Sequence, residues 1–174
     1  AAKQAGGEIS SGDARYLVQR VSADQLKLSS ELAKLLSYNP KITQESIDLL
    51  TVISPQSTVF ELLDAAFGGN KKRSLQLYQE QRQQKVEPQA ILAMLAWQLH
   101  VLAVVKTAGD KPVDQIAKES KLNPFVVRKS ASLARAITLQ DLRRLVDDTL
   151  TLDVRLKSET IDADSALQNL LISL

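Results

Sequence analysis

The spacing of apolar residues is the feature that most restricts the fold of this chain. Along most of the chain they recur at positions i, i+3, i+4 and i+7, whereas the strict alternation of a half-buried β-strand is almost absent. One example runs from Ala23 to Tyr38, with its apolar positions at Leu26, Leu28, Leu32, Leu35 and Leu36. The pattern predicts an all-α fold, and 44% hydrophobic residues suffice for a core in a chain of 174 residues.

Capping residues and prolines divide this pattern into about nine helices. Asn70, Asn123 and Thr138 stand before apolar segments as N-caps, and Pro88 occupies a first helical turn. The longest apolar segment, from Ile91 to Val105, is apolar almost all round. A helix of that kind is predicted to lie in the middle of a helical bundle.

The clearest break in the sequence is Ser54-Pro55-Gln56-Ser57. We expect Ser57 to cap a helix from Val59 to Phe67, which ends at a pair of glycines. A domain boundary at this break predicts a small three-helix piece in residues 1–53 and a larger helical bundle in residues 54–174.

Composition excludes many kinds of active site. There is no cysteine and His100 is the one histidine, which rules out disulfides, thiolate metal sites and histidine-rich metal centres. The run from Gly68 to Ser74 lacks the spacing of a phosphate-binding loop. Asp147 and Asp148 are adjacent on a predicted helix and point about 100° apart, so they do not form a carboxylate pair. We predict no catalytic, cofactor-binding or metal-binding residues, and expect His100 in the core or lining a groove.

Charge and hydropathy favour a soluble cytoplasmic protein. The net charge is only +2, although the segment from Lys121 to Arg144 is mainly basic and the segment from Asp147 to Asp164 mainly acidic. The start of the chain has no apolar stretch of a secretory signal. Ile91 to Val105 is shorter than the roughly 20 residues of a membrane span. The first residue is alanine rather than methionine, which suggests a processed chain or a fragment.

The segment from Val113 to Arg135 suggests an alternative function, which is DNA binding. Its predicted helix, turn and second helix are arranged as in a helix-turn-helix protein. The second helix carries three basic residues and no acidic one, which suits contact with DNA. The candidate DNA-contact residues are Arg128, Lys129 and Arg135. Lys121 or Ser120 stands where glycine is common in such turns, and any helical bundle produces a similar local pattern.

Several short segments together suggest a family. They are Ala14 to Val18, Leu28 to Leu35, Val59 to Ala65, Gly68 to Leu77, Glu87-Pro88 with Leu92 to Leu102, Asn123 to Lys129, and Asp153 to Lys157. In order and spacing, from Asp13 to Leu174, the chain resembles the delta subunit of the bacterial DNA polymerase III clamp loader.

The resemblance implies a non-catalytic protein that acts by assembly. Delta subunits have an ATPase-like first domain, a helical lid and a helical collar, so residues 1–53 would be most of the lid and residues 54–174 the collar. The resemblance implies the motor (gamma/tau) subunits and delta prime as partners. In the family the first domain binds the sliding clamp, and contact with DNA is indirect. Delta subunits are part of a DNA polymerase holoenzyme, which is a nucleotidyltransferase. This chain itself is expected to have no activity, no cofactor and no membrane partner.

The predicted helix from Thr138 to Glu159 is the expected subunit interface, because it is long and its charge changes sign. The candidate interface residues are Leu142, Arg143, Arg144, Val146, Asp147 and Thr149. In an alternative interpretation, the apolar positions of this helix pack the domain's own core; these positions are Leu142, Leu145, Val146, Thr149 and Leu152.

Overall fold

A computed structural model describes residues 6–21 and 24–174, apart from the side chains of residues 56 and 57. Within these residues there are ten α-helices and two short β-strands, which confirms the all-α prediction. The elements are β1 (Glu8–Ile9), α1 (Ser11–Val21), α2 (Gln25–Tyr38), β2 (Lys41–Ile42), α3 (Gln44–Leu50), α4 (Pro55–Phe67), α5 (Lys71–Gln83), α6 (Pro88–Thr107), α7 (Val113–Ser120), α8 (Pro124–Ala136), α9 (Leu139–Ser158) and α10 (Ala163–Ser173). Contacts divide the chain into two compact units, residues 1–57 and 58–174.

The described part of the first unit is a three-helix piece with a small parallel sheet. Helices α1, α2 and α3 enclose five buried side chains, which are Leu17, Val21, Leu35, Ile42 and Ile47. Strands β1 and β2 pair in parallel, with Ile9 opposite Ile42. The sequence did not predict these strands, because two residues are too short to show an alternating pattern.

The second unit is a helical bundle built around α6. This helix packs on α8 and α9, while α10 packs on α5, α6 and α9. Its fully buried residues include Ile91, Val101 and Leu102. Burial of such side chains contributes roughly 1.5–3 kcal/mol each, so α6 supplies much of the unit's stability.

Two helix boundaries differ from the prediction. Helix α4 begins at Pro55, two residues before the expected cap Ser57, whose side chain lies outside the described residues. Proline fits the first turn, since that position needs no backbone N–H donor. The other boundary is the start of α2. Its expected first residue, Ala23, lies outside the described residues, and the helix begins after Asp24, whose side chain caps it. Leu26 belongs to the apolar pattern yet is 84% exposed.

Helix α6 is also longer than the apolar segment suggested. It has 20 residues, and an 18-residue window has a mean hydropathy of 1.6, so by length and composition it could cross a membrane. The central helix of a soluble bundle passes the same test. Helix α6 has that position in the unit, and its buried Gln98 donates a hydrogen bond to Ser130 on α8 at 3.1 Å.

An ion-pair and hydrogen-bond cluster joins α5 to the start of α10. The buried Tyr78 hydroxyl donates to Asp164 Oδ1 at 2.6 Å. Arg82 Nε donates to the same oxygen at 2.8 Å, and its Nη2 donates to Asp164 Oδ2 at 3.2 Å. The hydrogen bond from Tyr78 and the Arg82 guanidinium lower the pKa of the Asp164 carboxyl below its ordinary value. We call these three residues the Asp164 cluster.

Gln81 on α5 is a buried polar side chain without a partner. It is fully buried, and among the described residues neither its Nε2 nor its Oε1 has a hydrogen-bond partner. An unsatisfied buried group costs about 1–3 kcal/mol. We therefore expect Gln81→Met, which keeps the shape and removes both polar atoms, to raise the free energy of unfolding by about 1 kcal/mol in urea unfolding followed by circular dichroism.

The matched control is Gln98→Met. This substitution also removes an unpaired buried oxygen, Gln98 Oε1, but it loses the hydrogen bond to Ser130 and leaves the buried Ser130 hydroxyl unpaired, so it should give a lower free energy of unfolding than Gln81→Met. A loss of stability in Gln81→Met equal to that in Gln98→Met would contradict the unsatisfied state of Gln81.

Candidate subunit-docking face

The predicted interface residues lie partly on the buried side and partly on the exposed side of helix α9. Thr138 begins the helix as predicted, since its side chain accepts a hydrogen bond from the Asp141 N–H. Leu142 and Thr149 are buried, at 3% and 5% exposed, and pack into the core of the second unit with Leu145 and Leu152. These two residues therefore cannot provide exposed surface for a partner without a change in the core.

The other candidates on α9 are exposed. Arg143, Arg144, Val146 and Asp147 lie at the surface, and within the described residues none of the three charged ones forms an ion pair. Val146, which the alternative interpretation assigned to the core, is 41% exposed. The core interpretation thus holds for Leu142, Leu145, Thr149 and Leu152, and fails for Val146.

Large apolar side chains line one exposed side of α9. Besides Val146 they are Leu139, Leu150 and Val154, at 47%, 59% and 53% exposed. The sequence analysis did not single out these three residues. A second row of apolar positions beside the core row was the available signal, since Leu139, Val146 and Leu150 follow one another at i, i+7 and i+11.

A groove beside this row separates α9 from α6. One end is a cavity of about 430 Å³ lined by Ala93 and Ala96 of α6 and by Val146 and Leu150 of α9. A second cavity of about 380 Å³ continues past Val146 to Ala103, Leu139 and Arg143. We call this surface the α6–α9 face; its residues are Ala93, Ala96, Ala103, Leu139, Arg143, Val146, Asp147, Leu150, Asp153 and Val154. Exposed apolar surface of this kind is typical of protein-binding sites and ligand-binding grooves.

His100 also lies on the exposed side of α6 rather than in the core. It belongs to the same solvent-facing row of the helix as Ala93 and Ala96, because these positions are three, four and seven residues apart. Of the two positions expected for His100, the core was therefore wrong, while the alternative beside a groove agrees with its row, whose alanines Ala93 and Ala96 line the groove.

The candidate DNA-contact residues do not form one surface. Helices α7 and α8 do pack as a helix, turn and helix, and Lys121 takes the left-handed conformation often given to glycine, with φ 57°. Arg128 and Arg135 lie one above the other on an exposed side of α8. Lys129 points elsewhere: its ammonium lies 4.5 Å from the centre of the Phe60 ring, and burial lowers its pKa. Lys129 of α8 thus packs against Phe60 of α4 and not on the surface with Arg128 and Arg135.

The segment from Gly68 onwards ends one helix and begins the next, as predicted. Gly69 has φ 72°, and the Asn70 N–H donates to the Ala65 carbonyl at 2.8 Å, which closes the end of α4. The Asn70 side chain then caps α5. Among the described residues, no group of three or more His, Asp and Glu side chains is placed to hold a metal ion.

Comparisons with known proteins agree on one family. Residues 56–174 match the family model described as DNA polymerase III delta subunit, C-terminal domain. DNA polymerase III subunit delta of Bacillus subtilis (strain 168) is 25% identical over 166 residues, which are 92% of this chain and 48% of that protein. The solved Bacillus subtilis DNA clamp loader delta protein has the same fold, with a TM-score of 0.92 over 99% of this chain and 52% of that chain, at 24% identity.

The helical bundle and its exposed apolar face define the second unit as a candidate protein-docking module. The chain belongs to the DNA polymerase III delta subunit family, because the family match covers more than half of its residues. It spans about half the length of the relatives that it matches.

Proposed function

We propose that this chain is a non-catalytic subunit of the replicative DNA polymerase III clamp loader. It docks on the motor (gamma/tau) subunits and delta prime, so that the sliding clamp can be opened and loaded on primed DNA. The observation that carries the proposal is the exposed apolar row on α9, with Leu150 59% exposed. Exposure of large apolar side chains to water is unfavourable in free energy, and a partner that covers them removes this cost.

The two predicted parts of the chain would have different roles in that assembly. Residues 1–53 correspond to the lid and residues 54–174 to the collar, which places the α6–α9 face on the collar. Contact with the sliding clamp belongs to the first domain of delta subunits, and contact with DNA is indirect. The protein acts in the bacterial cytoplasm and has no membrane partner.

Burial of apolar area dominates docking on this face. Each Å² removed from water contributes roughly 25 cal/mol before the costs of association are subtracted. The charged side chains at its edge, Arg143 and Asp147, contribute more to the orientation of the partner than to affinity.

Native mass spectrometry tests the proposed function. The chain is mixed with motor subunits and delta prime from the same bacterium, and the masses of the complexes are recorded. We expect a mixed complex that contains one copy of this chain. Failure to form any complex, with the chain shown to be folded by circular dichroism, would contradict the proposal.

A further inference from the structure

We propose that the α6–α9 face is self-complementary, so that two copies of the free chain pair through antiparallel α9 helices. The pairing would occupy the face on which the proposed clamp-loader partners dock. The self-pairing itself depends only on the residues of α9 and α6; its competition with partners depends on the proposed function.

Two pairs of positions on α9 are symmetric about residue 148, namely Val146 with Leu150 and Arg143 with Asp153. In an antiparallel pair centred there, Val146 of each copy lies opposite Leu150 of the other, because 146 and 150 are equally distant from 148. Both side chains are exposed in the single chain, at 41% and 59%. The pair therefore buries two identical apolar contacts at its centre, as a two-fold interface requires.

Oppositely charged side chains also face each other on either side of this centre. Arg143 lies opposite Asp153 of the second copy, because each is five residues from 148. Arg143 forms no ion pair within the described part of the chain, and Asp153 accepts from Lys157 at 2.6 Å with 41% of its side chain exposed. A parallel arrangement would place Arg143 against Arg143 and Asp153 against Asp153, so charge favours the antiparallel pair.

The neighbouring surface of α6 allows a second helix to approach. Its residues beside the groove are small, namely Ala93, Ala96 and Ala103. Helices α6 and α9 are antiparallel, since Ala93 lies beside Leu150 while Ala103 lies beside Leu139. The second copy's α9 would thus run parallel to α6, and the two copies together would bring four helices into one interface.

The test is sedimentation velocity of the full chain from low micromolar to submillimolar concentration. We expect a concentration-dependent shift from one copy to two. Arg143→Asp should weaken self-association roughly tenfold, because two symmetric exposed ion pairs become like-charge contacts. Asp153→Arg should weaken it likewise, and the double variant Arg143→Asp with Asp153→Arg should restore it.

Arg144→Asp is the matched control, since it makes the same charge change about 100° around the helix. It should leave self-association unchanged, with folding of every variant checked by circular dichroism. A single copy at all concentrations, an assembly larger than two, or equal weakening by Arg143→Asp and Arg144→Asp would overturn the proposal. If two copies form, adding motor subunits should convert them to mixed complexes that contain one copy. Pairing without any mixed complex would contradict the proposed function and leave self-pairing intact.

Discussion

Replacing Asp164 by Ala is expected to lower the free energy of unfolding of the second unit by about 1–3 kcal/mol. The Tyr78 hydroxyl, which donates to Asp164 Oδ1 at 2.6 Å, would lose its partner while the ring stays 1% exposed. Arg82 would lose the closer of its two carboxylate partners and keep Glu87, whose Oε2 lies 3.5 Å from Arg82 Nη1. Urea unfolding followed by circular dichroism measures the change, with C-terminal helix α10 expected to loosen first because Asp164 lies in its first turn.

A double-mutant cycle separates the hydrogen bond from other effects. Tyr78→Phe removes the hydroxyl, so Asp164→Ala should cost less in that background than in the native chain. Equal costs in the two backgrounds would contradict a direct interaction between the two side chains.

The same cluster predicts how stability depends on pH. The pKa of Asp164 is lowered from its ordinary value of 3.8. Its contribution is therefore complete above that value and is lost as the pH falls through the lower pKa of the folded state. The native chain should lose more stability on acidification than Asp164→Ala does, and parallel curves would contradict this role.

Leu150→Asp is expected to reduce the affinity of the chain for its clamp-loader partners at least about a hundredfold. Leu150 is the most exposed of the large apolar side chains on the α6–α9 face, at 59%, so aspartate there costs little in the free chain. In a complex the carboxylate would be buried against apolar surface without a partner, which costs several kcal/mol. Surface plasmon resonance with immobilised motor subunits measures the loss.

Thr151→Asp is the control for this variant. Thr151 is exposed on the same helix, and its side chain points about 100° away from Leu150. The control should bind with nearly native affinity, and both variants should keep the native circular dichroism spectrum. Equal loss of affinity in the two variants would contradict docking through the α6–α9 face, because any negative charge added to α9 would then weaken partner binding.

Local signals in the sequence predicted most helix starts. Asn70, Asn123 and Thr138 each accept a hydrogen bond from the first turn of the helix that follows, as expected for N-caps. The β1–β2 pair was not predictable, because two-residue strands form through contacts between distant segments. The start at Pro55 was missed because a serine cap and a first-turn proline are both favourable signals, and the sequence contains both within three residues.

The candidate face was predictable only in part. The sequence identified α9 and its charged residues, but it could not tell which apolar side of the helix meets the core. Leu142 and Thr149 were assigned to the interface and are buried, while Leu150 was missed. The α6 side of the groove carries alanines, which are often buried in cores, so only the packing of α6 on α9 reveals their exposure.

Cysteine footprinting tests the central claim, that the α6–α9 face docks on a clamp-loader subunit. The chain has no cysteine, so a single introduced thiol gives a clean signal. The rate of maleimide modification of Leu150→Cys is measured with and without saturating motor subunits, beside the exposed control Gln115→Cys on α7, at a chain concentration low enough that sedimentation shows a single copy. We predict strong protection of Leu150→Cys and none of Gln115→Cys. A stable complex in which Leu150→Cys reacts at its free rate would contradict the account.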